Sequence, residues 1–223
     1  MSYILLILAV LLPFGFITVT RPKKRLGLRL LLAFSGAFLL ALTIFELLPE
    51  VYQETNARTI GIYIMMGILL QIFLEFFSKG AEHGHIHVKD EKLEFPWLLF
   101  ISLCIHAFME GLPLNTTKPI LYGILVHKIP IALILSIFLL DSKLKTFQAV
   151  FFILVFSFMT PLGSLLAANL EFISEYKGPI TALVIGIFLH ISTVILFESS
   201  QGHTFNIRKL LVIILGIIIA YSI

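Results

Sequence analysis

The stretch CIHAFMEGLPLN, residues 104–115, is followed at residues 126–132 by VHKIPIA, and together they set two histidines, a glutamate and a lysine within runs of Leu, Ile, Phe and Val. His106 and Glu110 are four residues apart, which on an α-helix puts both side chains on one face, roughly 6 Å apart along the axis. Ionisable groups are expensive in an apolar setting and mark function when they occur there. What surrounds these two segments therefore decides both the fold and the role of the polar groups.

The surroundings are those of a membrane protein. The chain of 223 residues is 59% hydrophobic and only 13% charged, with a mean hydropathy of +1.04, too little polar surface to cover a soluble globule. Apolar runs of about 17 to 23 residues, the length that crosses roughly 30 Å of hydrocarbon, recur at 3–20, 29–48, 60–78, 97–115, 119–140, 147–169, 179–200 and 207–223. The expected fold is all-α and polytopic, with eight transmembrane helices in one integral membrane domain over residues 1–223. The first run lacks a basic leader and a small-residue cleavage site, so it reads as a retained helix. The joins RPKKRLG, PEVYQETNAR, NTTKP, DSKLK and EYKGP are short and carry turn chemistry; the segment 79–95, SKGAEHGHIHVKDEKLEFP with its flanks, is the long one.

The net charge of +3 comes from short Lys and Arg clusters between apolar runs, not from a basic stripe, so no nucleic-acid partner is expected. The single cysteine, Cys104, excludes an intrachain disulfide framework and a Cys-rich metal motif. Alternate joins starting with the first hold twelve Lys and Arg, against three (Arg58, Lys118 and Lys177) in the others. The positive-inside rule then places the richer set, and with it the loop 79–95, in the cytoplasm and both termini outside.

With that topology, runs one to three and six to eight form two triplets that start from opposite sides of the membrane. GAFLLALT at 36–43 matches GIFLHIST at 186–193 in Gly, Phe, Leu and Thr at the same spacing. The triplets are expected to be inverted repeats around a central pair, runs four and five, an arrangement typical of transporters with sites near the bilayer midplane. His106 lies about nine residues, or roughly 14 Å, into the fourth run, and His127 lies at similar depth in the fifth. His106, Glu110 and His127 can thus converge as an N,N,O set suited to Zn²⁺ or another first-row divalent ion. Pro113 and Pro130 free the carbonyls of Met109 and Val126 beside these residues.

Three peripheral groups carry further candidates. Glu46, Glu50 and Glu54 ring the outer end of the second run, where carboxylates concentrate cations at an entrance. Glu82, His83, His85 and His87 lie in the cytoplasmic loop, where alternating imidazoles are good transient metal ligands in an exit or regulatory role. Glu75 and Glu198 stand near the inner ends of the third and seventh runs and are candidates for an exit relay.

HAFMEG followed by HKIPIA resembles the paired fourth- and fifth-helix motifs of the ZIP (Zrt/Irt-like) divalent metal transporters. FELLPE at 45–50, TPLG at 160–163 and GIFLHISTVILFE at 186–198 are similar to that family's flanking signatures. The resemblance implies that His106, Glu110 and His127 are metal ligands, that helices one, four, five and six form a moving unit against a scaffold, and that access alternates by an elevator-like slide. The departures are informative too. Where two-metal members carry further ligands, this chain has Ala107, Lys128, Ile131 and Thr160. These positions modulate the site by leaving it one ion, and the Lys128 ammonium stands in for the missing second cation by balancing Glu110.

The function expected is transport of a divalent transition metal, zinc foremost, into the cytoplasm, with the metal as substrate, no organic cofactor and no enzymatic activity. The alternatives are an intramembrane zinc metallohydrolase, for which HExxH is missing, and a haem-binding electron carrier using His106, His127 and His190. The expected partners are divalent ions and the lipid bilayer, with a homodimer left open. The expected location is a bacterial inner (plasma) membrane.

Overall fold

The computed structural model describes residues 2–20, 26–54, 56–78, 97–115, 118–142, 144–198 and 207–223, and every regular element among them is helical. The helices are α1 (Ser2–Thr20), α2 (Leu26–Leu42), a π-helical turn (Thr43–Leu47), α3 (Leu48–Glu54), α4 (Ala57–Ser78), α5 (Trp97–Gly111), a 3-10 turn (Leu112–Asn115), α6 (Lys118–Asp141), α7 (Thr146–Asn169), the short α8 (Glu171–Glu175), α9 (Lys177–Glu198) and α10 (Ile207–Tyr221). Seven of these segments are long and apolar enough to cross a membrane. The eighth expected run appears as α10, 15 residues from Ile207 to Tyr221. Large apolar side chains such as Ile4, Leu12, Phe16, Leu69, Phe73, Phe76 and Phe151 stand exposed, the surface that hydrocarbon covers.

The second run is not one smooth helix. Pro49 has no amide to give the carbonyl of Phe45, and the turn before it widens so that the Leu48 amide bonds to the Thr43 carbonyl, five residues back. Pro113 acts differently: α5 ends at Gly111 and the chain passes through the 3-10 turn before α6. Pro130, in contrast, lies inside a continuous α6.

Packing separates the helices into two apolar cores. Val10 of α1, Leu99, Phe100, Leu103 and Ala107 of α5, Ile131, Ala132, Leu135 and Leu139 of α6, and Ala149, Phe152, Ile153 and Phe156 of α7 make one core. The other is built mainly from α2, the π-turn, α3, α4 and α9, with Ile120 and Ile124 from the first half of α6. Helices α1 and α6 thus contribute to both cores, α1 through Leu6 and Val10 and α6 through Ile120 and Ile124 on one side and Ile131, Ala132, Leu135 and Leu139 on the other.

The pairing of helices is what inverted triplets produce. If α1, α2 and α4 correspond to α7, α9 and α10, and α5 to α6, then the packing of α4 on α9 mirrors that of α10 on α2, and α5 on α7 mirrors α1 on α6. Both α4·α9 and α5·α7 are close backbone contacts made by glycine. A Cβ on Gly186 would collide with the Ile64 carbonyl, and one on Gly163 with the Phe108 carbonyl, so only the smallest residue permits these approaches. The mirror is incomplete: α4 packs against α5 and α2 against α6, whereas α10 makes no comparable contact with α6, nor α9 with α5.

Candidate metal-binding site at the junction of the two cores

Residues of α5 and α6 meet where the cores join. His106 lies nine residues after Trp97 and His127 nine after Lys118, each about 14 Å along its helix. His106, Glu110 and His127 are all buried, and one ligand atom from each lies within 4.8 Å of the others. Glu110 Oε1 is 2.8 Å from His106 Nε2 and 3.7 Å from His127 Nε2. The two imidazoles meet edge to face, at 77° with centroids 6.4 Å apart. Ligands about 2.1 Å from a tetrahedral zinc ion stand roughly 3.4 Å from one another, so small side-chain adjustments would seat an ion among these three atoms.

The close pair His106 Nε2 and Glu110 Oε1 has no hydrogen-bond alignment. The other ring nitrogen does: His106 Nδ1 bonds to Gln71 Oε1 at 3.1 Å, across the α4·α5 contact. On the far side of the carboxylate, Lys128 Nζ donates to Glu110 Oε2 at 2.8 Å and stands 5.1 Å from the centre of the Phe156 ring. Glu110 therefore turns one oxygen to the imidazoles and the other to an ammonium. A buried carboxylate and ammonium at this spacing each offset the other's desolvation.

Of the other residues singled out in the sequence, Thr160 and Ala107 meet through the backbone: the Thr160 hydroxyl donates to the Ala107 carbonyl at 2.7 Å, joining α7 to α5. Ile131 is buried in the α1, α5, α6 and α7 core. Glu46 is exposed on the π-turn and Glu50 half-buried in α3. Glu75 of α4 meets α9, its Oε2 2.6 Å from His190 Nε2. Glu198 is the last residue of α9. The side chains of Glu54 and Glu198, and Glu82, His83, His85 and His87 entirely, lie outside the described residues.

Sequence reading missed Gln71 and the partnership of Glu75 with His190. Between Tyr63 and Glu75, Gln71 is the one polar side chain on α4, and it precedes Glu75 by four residues, one turn on the same face. That spacing was the available signal.

A family model described as ZIP zinc transporter matches residues 81–223. Zinc transporter ZIP1 of Danio rerio is 36% identical over 90 residues, covering 38% of this chain and 30% of the relative. Zinc transporter ZIP1 of Takifugu rubripes is 31% identical over 153 residues, 61% of this chain and 49% of the relative. Protein zntD of Dictyostelium discoideum is 29% identical over 153 residues, 57% of this chain and 22% of the relative. The chain thus spans half or less of the length of these curated relatives.

Proposed function

Because the chain belongs to the ZIP zinc transporter family, we propose that it carries a divalent transition metal ion, zinc foremost, across a membrane into the cytoplasm by alternating access at His106, Glu110 and His127. The observation that carries this reading is the buried convergence of two imidazoles and one carboxylate at the junction of two cores. A bare divalent ion cannot enter hydrocarbon, and three protein ligands replace part of its hydration shell while leaving positions open for water and release. Lys128 supplies the fixed positive charge that leaves room for one mobile ion. The core shared by α1, α5, α6 and α7 supports movement of that group against a scaffold, across the contacts that α6 makes with α2 and α5 with α4.

The membrane is proposed to be a bacterial inner or plasma membrane with both chain ends outside, on the Lys and Arg count. In that orientation Glu46 and Glu50 gather cations at the entrance, and His83, His85 and His87 with Glu75 and Glu198 handle the emerging ion. Radiometal uptake into proteoliposomes containing the full chain tests the reading, with Zn²⁺, Fe²⁺, Mn²⁺ and Cd²⁺ as competitors. Uptake that saturates with Zn²⁺ and is lost on His106→Ala or His127→Ala supports it; uptake no faster than in protein-free vesicles refutes it.

A further inference from the structure

We propose that Gln71 is a positioning residue for the ion, holding the His106 imidazole with its proton on Nδ1 so that Nε2 faces the site as a ligand. Gln71 is fully buried in α4, where a carboxamide without a hydrogen-bond partner would be strongly disfavoured. Its oxygen meets His106 Nδ1 at 3.1 Å. A carboxamide oxygen only accepts, so Nδ1 must donate, and a neutral imidazole that donates from Nδ1 keeps its lone pair on Nε2. Nε2 is the atom that stands 2.8 Å from Glu110 Oε1 without an aligned hydrogen bond. Two acceptors held this close repel each other until a cation lies between them, which is the state the Gln71 bond prepares.

The bond also reaches from one core to the other. Gln71 belongs to α4, which packs with α9, whereas His106 belongs to α5, which packs with α7. A displacement of the α1, α5, α6 and α7 group along α4 would break it, so Gln71 orients His106 only in the arrangement described here. Ligand geometry and helix-group position are thereby coupled, which gives the ion a reason to bind in one arrangement and leave in another. This inference rests on the proposed role of His106 as a ligand.

The test uses the full chain, purified in detergent for Zn²⁺ binding and reconstituted for uptake, with variants compared at equal folded abundance. Gln71→Leu should raise the Zn²⁺ Kd and KM by about tenfold, the usual scale for losing a partner that orients a metal-bound histidine. Gln71→Glu keeps the acceptor and should bring both within about threefold of the parent. In zinc-free protein, ¹⁵N-histidine NMR should show the signal that disappears in His106→Ala as an Nδ1-protonated ring. Parental Kd and KM in Gln71→Leu, equal impairment of the Leu and Glu variants, or an Nε2-protonated His106 would each overturn the inference. If Gln71→Leu does not fold, the Gln71→Glu values and the tautomer still decide it. Failure of the parent to take up zinc would instead remove the carrier reading, while zinc binding and the tautomer continue to judge Gln71.

Discussion

Lys128 and Glu110, one from α6 and one from α5, form a buried ion pair of 2.8 Å through Oε2, the carboxylate oxygen that does not face the two histidines. The pair makes Glu110 part of the packing as well as part of the site. Removing the carboxylate alone strands an ammonium among apolar side chains, a loss of about 3–5 kcal/mol.

Glu110→Ala is therefore expected to lose folded protein as well as zinc uptake, whereas Glu110→Ala with Lys128→Met recovers abundance but not uptake. Thermal unfolding in detergent measures the first effect and proteoliposome uptake the second. Equal stability of the single and double variants would show that the pair contributes nothing to the fold.

His127→Ala removes an imidazole without stranding a charge and should retain folded abundance, whereas His106→Ala also takes away the Nδ1 partner of the buried Gln71 oxygen and should lower it. At equal folded abundance, each should lose more than about tenfold in zinc affinity, the scale of disrupting a metal's ligand set. Isothermal titration with Zn²⁺ reads this directly.

Thr160→Val removes the hydroxyl that bonds the Ala107 carbonyl and keeps the side chain's shape. The expected result is a stability loss of about 1 kcal/mol with the zinc KM changed less than twofold. A large change in KM at unchanged stability would instead make Thr160 a modulator of the ion site.

Gly186→Ala would push a methyl group into the Ile64 carbonyl across the α4·α9 contact, and the cost should be about 1–3 kcal/mol. Gly61→Ala, in the same pair of helices, meets nothing within 4 Å and should be neutral or slightly stabilising. Paired melting curves compare the two.

Much of this arrangement was legible before any coordinates, and the reasons are physical. Helix lengths follow from the thickness of hydrocarbon, and the four-residue step from His106 to Glu110 puts both on one face whatever the helix packs against. The depth of His127 followed from counting residues from the start of its run. Contacts that depend on how helices rotate about their axes were hidden. Gln71 touches His106 only because α4 lies against α5, and no spacing in sequence encodes that contact. Glu75 was read as an exit residue from its place near a helix end, yet its neighbour His190 comes from a helix more than a hundred positions away. Thr160 was singled out for the acidic group it lacks, whereas its hydroxyl is engaged with a backbone carbonyl of α5. The widened turn at Thr43–Leu47 could have been expected from Pro49, whose missing amide must be accommodated one turn earlier.

The most direct test of the central claim is an anomalous difference map, collected at the zinc edge, from the full chain crystallised with Zn²⁺. The account predicts one peak per chain, about 2.0–2.2 Å from His106 Nε2, His127 Nε2 and Glu110 Oε1, with Lys128 still bonded to Glu110 Oε2. Two peaks a few ångströms apart at this site, or zinc bound elsewhere in the membrane-spanning region with this site empty, would contradict it.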